Sequence, residues 1–119
     1  DAAAAGPVVV LVMERERVAD YQAMVSALRG AGIAAELYLG SAGMKAQMKY
    51  ADRRNAPLVI IQGGDERAKG VVQIKDLAAG KQAAAGITDN AEWRAERAGQ
   101  VEVAQADLVA EVQKMLGRT

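Results

Sequence analysis

Three short apolar runs, separated by segments of helical periodicity, constrain the fold of this chain more than any other feature. The runs are "PVVVLVM" (7–13), "IAAELYL" (33–39) and "LVIIQ" (58–62). Apolar residues recur at helical spacing between them, over about 18–28 and again over about 42–54. Strand, helix, strand, helix, strand at these lengths predicts right-handed crossovers that join buried parallel strands. The sequence therefore predicts an α/β fold.

The pattern changes after residue 62. "GVVQIKDL" (70–77) follows a short loop and "AAGKQ" (78–82) is typical of a turn, so we expect a fourth, antiparallel strand that leads into a hairpin. "QVEV" (100–103) predicts an edge strand, and a final helix is predicted over about 105–116. Between them we expect a short helix that is capped by Thr88 or Asp89 and anchored by Trp93.

Four residues mark predicted helix boundaries. Gly30 and Gly32 close the first helix. Ser41 is the expected N-cap of the second helix, and Pro57 prevents that helix from continuing.

Composition excludes several classes of site. The 119 residues suit one domain and contain neither Cys nor His, which removes disulfides, thiolate zinc sites and the commonest general base. The formal net charge is zero, so any contact with nucleic acid must come from a local patch.

We interpret "DAAAAG" (1–6) as a linker remnant, with a processed N-terminus as the alternative. Because no run resembles a signal or a membrane span, we expect a cytoplasmic protein.

The predicted helix over 42–54 carries a basic face. Lys45, Lys49 and Arg53 share that face, whereas Met44, Met48 and Ala51 form the predicted inward stripe. A basic stripe at the edge where the parallel strands end is well placed to meet phosphates. The alternative is a solvated helix face with no partner.

Two loops at predicted strand ends are further candidates. "QGGDE" (62–66) follows the third strand, where Gly63 and Gly64 allow close approach of a partner and Glu66 could accept hydrogen bonds from a base edge. "MERERV" (13–18) brings Arg15 to the end of the first strand. The alternatives are a plain glycine-rich turn and the first turn of a surface helix.

Catalysis is a poor interpretation of these residues. Asp65 and Glu66 are adjacent, which fixes no separation suited to acid–base chemistry, and neither Ser26 nor Ser41 lies in a nucleophile elbow. No "GxxxxGK[ST]" phosphate loop is present. We therefore expect no catalytic residue, cofactor or metal ion in this segment.

The segment "GMKAQMKYADRRNAPLVIIQGGDERAKGVVQIKDLAAGKQ" (43–82) resembles the C-terminal anticodon-binding domain of class IIa aminoacyl-tRNA synthetases. The shared patterns are "KxQxKYADRRxxP", "GxxE" and "KGxVxIKDLxxGxQ", of which the last is most similar to the histidyl-tRNA synthetase branch. "ADLVAEVQKML" (106–116) also fits the closing helix of that family. The resemblance implies a three-layer α/β/α domain over 7–117, with a five-stranded, mixed but mostly parallel sheet, three main helices and an insertion at about 83–100.

The same resemblance implies a function in tRNA recognition. The domain would dock an anticodon stem-loop, expected to be that of histidine tRNA, through Arg15, Lys45, Gln47, Lys49, Arg53, Gly63, Gly64 and Glu66. Lys45, Lys49 and Arg53 would position phosphates, and base edges would be read near Gln47 and Glu66. The parent protein would be a ligase, with a separate catalytic domain that uses ATP and Mg²⁺. The parent is also expected to be a homodimer. Neither DNA nor a membrane is an expected partner.

Two other functions remain open at this point. Synthetase-like proteins reuse the fold as a regulatory or protein-interaction domain without RNA binding, because fold does not settle function. A flavodoxin-like domain for small ligands would require an anion-friendly first loop, and "MERER" (13–17) is charged and lacks Gly, Ser and Thr donors.

Overall fold

The protein, as a computed structural model, is a five-stranded sheet between two layers of helices, and the structure describes residues 6–77 and 99–117. The strands are β1 (Val8–Val10), β2 (Ala35–Leu37), β3 (Leu58–Ile61), β4 (Val71–Asp76) and β5 (Gln100–Ala104). The helices of the described residues are α1 (Val18–Gly30), α2 (Met44–Arg53), α3 (Gly64–Lys69) and α4 (Leu108–Met115). Single 3-10 helical turns, Arg15–Arg17 and Gln105–Asp107, lead directly into α1 and α4.

The sheet is mixed and has the strand order β2-β1-β3-β4-β5. Strand β1 lies between β2 and β3 and pairs in parallel with both, as the two predicted crossovers require. β4 runs antiparallel to β3 and also to β5, which forms the far edge. The predicted mixed sheet, antiparallel fourth strand and edge strand near residue 100 are confirmed.

Alternate residues of β1 face two separate cores. Val8 and Val10 pack with α1 and α4 on one side of the sheet. Val9 and Leu11 pack with Ala51 of α2 on the other side. Because both faces of β1 and β3 are covered, these strands are apolar throughout rather than alternating, which is the pattern from which the fold was predicted.

The strands are shorter than the apolar runs that predicted them. Leu11 and Val12 follow β1 and remain buried outside the ladder, and Ile33 is buried two residues before β2 begins. Burial of these side chains does not require strand pairing, so an apolar run overestimates strand length. At the other end of its run, Leu39 is 84% exposed.

The helix boundaries agree with the sequence at three of four predicted points. α1 ends at Gly30, Gly32 adopts a φ of 82°, and α2 stops before Pro57. The expected N-cap at Ser41 is wrong, because α2 begins two residues later and Gly43 occupies the N-cap position without a side-chain hydrogen bond.

The segment after β3 is a helix rather than the predicted loop. α3 has Gly63 as its N-cap residue, and the Oε1 atom of Glu66 accepts a hydrogen bond of 2.8 Å from the Gly63 N–H. Gly70 ends the helix with a φ of 72°. Acidic residues in the first turn, basic residues in the last turn and a terminal glycine all favoured this helix, but the Gly-Gly pair was interpreted as a turn.

Some predictions lie outside the described residues. They are the turn at 78–82, the short helix capped by Thr88 or Asp89, and the anchor Trp93. Within the described ranges, no helix is long and apolar enough to cross a membrane.

Candidate RNA-binding surface

The ends of the three parallel strands meet at one edge of the sheet, which we call the rim and define as residues 12–15, 40–45 and 62–66. The hydroxyl of Tyr21 donates a hydrogen bond of 2.7 Å to the Gln62 carbonyl and accepts one of 3.2 Å from the Glu14 N–H. Tyr21 therefore joins the chain after β1 to the chain after β3. A cleft of about 220 Å³ opens at the rim, and its described lining includes Arg15, Met44 and the loop 40–43.

The basic face of α2 extends away from the rim. Its first residues lie near Val12, whereas at its other end the Asn55 carbonyl accepts a hydrogen bond of 2.8 Å from the Gly6 N–H, before β1 begins. Lys45 thus lies at the rim, and Arg53 lies about 12 Å further along the helix axis. The expectation that the whole basic stripe lies at the rim is wrong, because α2 runs antiparallel to the strands.

Four exposed cations on these elements have no partner among the residues that the structure describes. Arg15, Lys45, Lys49 and Arg53 make no ion pair and no side-chain hydrogen bond with other described residues. Arg54 and Arg67, by contrast, pair with Glu36 and Glu14. The cations that the sequence predicted for phosphate contact are therefore available to an external anion.

The start of α2 creates a positive potential on its own side of the rim. No acidic residue occupies its first turn, no side chain caps its N–H groups, and Lys45 lies in that turn. A cation next to the positive end of a helix dipole is unfavourable for the helix by itself. A bound anion would relieve that repulsion.

Gln47 was predicted to read a base, but its side chain is 1% exposed. Met44, predicted to point inward, is 45% exposed instead. The inner face of α2 is therefore formed by Gln47 and Ala51, with Met48 partly buried. No polar atom of Gln47 is presented at the surface to meet a nucleobase, so the structure contradicts that expectation.

The loop after β3 is held tightly against its neighbours. A Cβ atom on Gly63 would lie 3.1 Å from Oε1 of Glu66, and one on Gly64 would lie 3.3 Å from Oε2 of Glu14. Both glycines therefore serve close approach within the protein. Glu66 uses Oε1 for the Gly63 N–H, and its Oε2 accepts no hydrogen bond from the described residues.

Comparison with known proteins identifies the family. The family model described as an anticodon binding domain matches residues 7–115. The chain belongs to this family. The anticodon-binding domain is also 66% identical over 112 residues to a histidine–tRNA ligase of Mesorhizobium japonicum, a match that covers 92% of the chain and 22% of that relative. A histidine–tRNA ligase of Bradyrhizobium diazoefficiens is 61% identical over 114 residues, with 95% and 22% covered.

Solved structures agree with this assignment. The histidyl-tRNA synthetase of Nostoc sp. PCC 7120 matches 95% of the domain with a TM-score of 0.72 and 28% identity, over 23% of that chain. The apo histidyl-tRNA synthetase of S. aureus matches with a TM-score of 0.67 and 20% identity, over 89% of the domain and 23% of that chain, which supports the fold alone. The domain thus spans about a fifth of the length of the curated relatives it matches.

Two buried side chains that hold the rim together by hydrogen bonds, Tyr21 and Gln62, were not among the predicted site residues. Tyr21 was counted only as an apolar helix position, and burial raises the pKa of its phenol, which keeps it protonated for both rim hydrogen bonds. Gln62 is 2% exposed and donates to the Val71 carbonyl at 2.9 Å and to Oε1 of Gln105 at 2.8 Å. A polar residue at the end of a buried strand was the available signal.

Metal chemistry has no support among the residues that the structure describes. Residues 6–77 and 99–117 contain no group of three or more Asp, Glu, His or Cys side chains arranged to hold a metal ion.

Proposed function

We propose that this domain binds the anticodon stem-loop of histidine tRNA as part of a longer histidine–tRNA ligase. The proposal rests on a family match over residues 7–115 together with exposed cations, at and beside the rim, that form no ion pair with other described residues. A family of anticodon-binding domains supplies the ligand class, and the cations supply the attraction to its phosphates.

The roles of the residues follow from their positions. Arg15 and Lys45 hold phosphates at the rim, and Lys49 and Arg53 extend the contact along α2. The Oε2 atom of Glu66 accepts from the exocyclic amine of an unstacked base. Gly63 and Gly64 seat the Glu66 and Glu14 carboxylates against the backbone and place no side chain of their own in the path of that base.

The remainder of the ligase is also part of the proposal. A separate catalytic domain would bind ATP and Mg²⁺ and form the ester bond, while this domain carries no catalytic residue. The names of the relatives support a ligase as the parent protein. A homodimeric parent and a cytoplasmic location complete the proposal, and the absence of Cys suits a reducing compartment.

Fluorescence anisotropy of a labelled histidine-tRNA anticodon stem-loop at low salt tests the proposal. We expect the domain to prefer the native loop to a scrambled-anticodon loop. Glu66→Gln retains an acceptor for the Gly63 N–H but changes the group that faces the base, so it should lose about 1–3 kcal/mol of that preference. Lys45→Ala should weaken both loops equally.

Lys114→Ala is the matched control, since Lys114 is an exposed lysine on α4, across the sheet from α2, and forms no ion pair with another described residue. It should bind both loops as the unmodified domain does. If neither loop binds to the domain, nor to the longer ligase at hundreds of micromolar, the RNA-binding function is contradicted and a protein-interaction function is favoured.

A further inference from the structure

The buried amide of Gln47 makes three hydrogen bonds, all to backbone groups. Oε1 accepts from the Val12 N–H at 2.8 Å, and Nε2 donates to the Val12 carbonyl at 2.8 Å and to the Ala42 carbonyl at 2.9 Å. These partners belong to two segments that are distant in sequence and adjacent at the rim.

The first of these segments is the end of β1. The ladder pairs of β1 stop at Val10, and Leu11 N–H still donates to the Ile60 carbonyl at 3.0 Å. One residue later, Gln47 supplies both hydrogen bonds of Val12. The side chain therefore acts as a strand neighbour where the sheet has ended, and fixes the direction in which the chain leaves towards Arg15.

The second segment is the loop 40–43. Among the described residues, the loop makes two hydrogen bonds, one from Gln47 Nε2 to the Ala42 carbonyl and one of 3.1 Å from the Gln47 backbone N–H to the Gly43 carbonyl. Gln47 is the donor in both hydrogen bonds, once through its side chain and once through its backbone. Within residues 6–77 and 99–117, the Gln47 amide therefore makes the only side-chain hydrogen bond to this exposed loop.

Arg15 and the loop 40–43 line the same cleft of about 220 Å³, and Lys45 follows the loop by two residues. We propose that Gln47 is a positioning residue for RNA binding: it aligns the chain after β1 with the loop before α2, so that Arg15 and Lys45 meet neighbouring phosphates. This inference rests on the proposed anticodon-binding function and replaces the role of base reader that the sequence predicted for Gln47.

Two substitutions at this position separate the hydrogen bonds from the packing. Gln47→Met has a similar volume and removes all three side-chain bonds. Gln47→Glu keeps an acceptor for the Val12 N–H, but at neutral pH its carboxylate faces the Val12 and Ala42 carbonyls. Burial and those carbonyls should raise the pKa of this carboxyl, against the opposing charges of Arg15 and Lys45. Once protonated, it regains a donor.

The test is stem-loop affinity, measured where circular dichroism shows each variant to be fully folded. We expect Gln47→Met to weaken binding by about five- to ten-fold, because the loop and its side chains must then be ordered on binding. Lys45→Ala should cost about five-fold in the unmodified chain and much less in the Gln47→Met background. A purely structural role would leave the effect of Lys45→Ala unchanged.

The pH profile of Gln47→Glu gives an independent signature. The chain has no His, so the affinity of the unmodified domain and of Gln47→Met should be flat between about pH 5.5 and 8. Gln47→Glu should bind most weakly at pH 8 and recover several-fold towards pH 5.5, as the carboxyl is protonated.

Ile33→Val is the control for lost stability, because Ile33 is a buried core residue before β2, at the opposite edge of the sheet. It should leave affinity unchanged. Unaltered affinity of both Gln47 variants, with the unmodified chain binding normally, would overturn the positioning role alone. Failure of the unmodified chain to bind would overturn the proposed function and this role together.

Discussion

Glu36 lies on the edge strand β2, where two residues of the α2 region donate to its carboxylate. Arg54 contributes a hydrogen bond of 2.9 Å to Oε1, and the Tyr50 hydroxyl donates to Oε2. Tyr50 also packs edge-on against Tyr38, with ring centroids 5.3 Å apart. At the scale of single residues, this cluster fastens α2 to the sheet at a distance from the rim.

The cluster predicts a stability term that depends on pH. Burial raises the pKa of Glu36. The hydrogen bonds from Arg54 and Tyr50, together with the charge of Arg54, lower it by more than burial raises it, so the folded pKa lies below the ordinary value. A lowered folded pKa means that the stabilisation is complete above the unfolded pKa of about 4.3 and is lost as pH falls through the folded value. Urea unfolding at pH 3 to 7 measures it.

Glu36→Gln provides the reference for that experiment. The stability difference between the unmodified chain and Glu36→Gln should be constant above about pH 5 and should shrink towards pH 3. A difference that grows on acidification would show that the folded pKa is raised instead.

The residue scale also shows where sequence reasoning succeeds and fails. Helical spacing correctly placed Lys45, Lys49 and Arg53 on the exposed face of α2. It placed Met44 inside and Gln47 outside, because periodicity ranks side chains by polarity. The partner that accommodates Gln47 is the backbone of Val12, which is 35 residues away, and no local pattern records it.

At the scale of elements, the first turn of α2 lacks the stabilisation that a capping side chain would provide. Gly43 has ordinary extended backbone angles, φ −75° and ψ −178°, and a Cβ atom there would meet nothing within 4 Å. A capping side chain would therefore fit. Its absence leaves the N–H groups at the start of α2 uncapped and keeps the charge of that first turn positive.

Gly43→Asp should therefore stabilise the fold and weaken RNA binding. Restriction of the unfolded chain and a new N-cap should raise the free energy of unfolding by about 0.5–1 kcal/mol. The carboxylate would at the same time repel phosphates from the cleft that Gly43 lines. Denaturant unfolding and stem-loop affinity, measured on the same samples, test both effects.

Gly43→Ser separates capping from charge in that experiment. It should gain similar stability and keep most of the affinity, because its hydroxyl is neutral. Equal affinities of the Asp and Ser variants would show that phosphates do not approach the start of α2.

Elements differ in how far the sequence predicted them. The strands β1 and β3 and the helices α1, α2 and α4 follow from apolar periodicity, because two cores cover the sheet and set that periodicity. α3 was missed because a six-residue helix buries none of its residues and has no apolar stripe. It is held instead by polar contacts, namely the Glu66–Gly63 hydrogen bond and the Arg67–Glu14 ion pair.

For the molecule as a whole, the net charge is zero, but some charged side chains are paired within the protein whereas others face solvent. Glu14, which follows β1, is paired with Arg67, and Glu36 on β2 is paired with Arg54. Four cations that form no ion pair within the described part of the chain extend from the rim along the outside of α2, namely Arg15, Lys45, Lys49 and Arg53. Local attraction for an anionic chain therefore coexists with an overall neutral domain, and binding should be governed by a small number of phosphate contacts.

The salt dependence of stem-loop binding counts those contacts. Four phosphate contacts predict a slope of log K against log salt between about −2.8 and −3.6, since each contact contributes about 0.7 for single strands and 0.9 for duplex. Lys45→Ala and Arg53→Ala should each make the slope shallower by roughly one contact, and Lys114→Ala should leave it unchanged. An effect of Lys45→Ala without one of Arg53→Ala would confine the RNA to the rim, contrary to the path along α2. A slope shallower than about −1 in the unmodified domain would show that phosphates contribute little, and that the unpaired cations serve another partner.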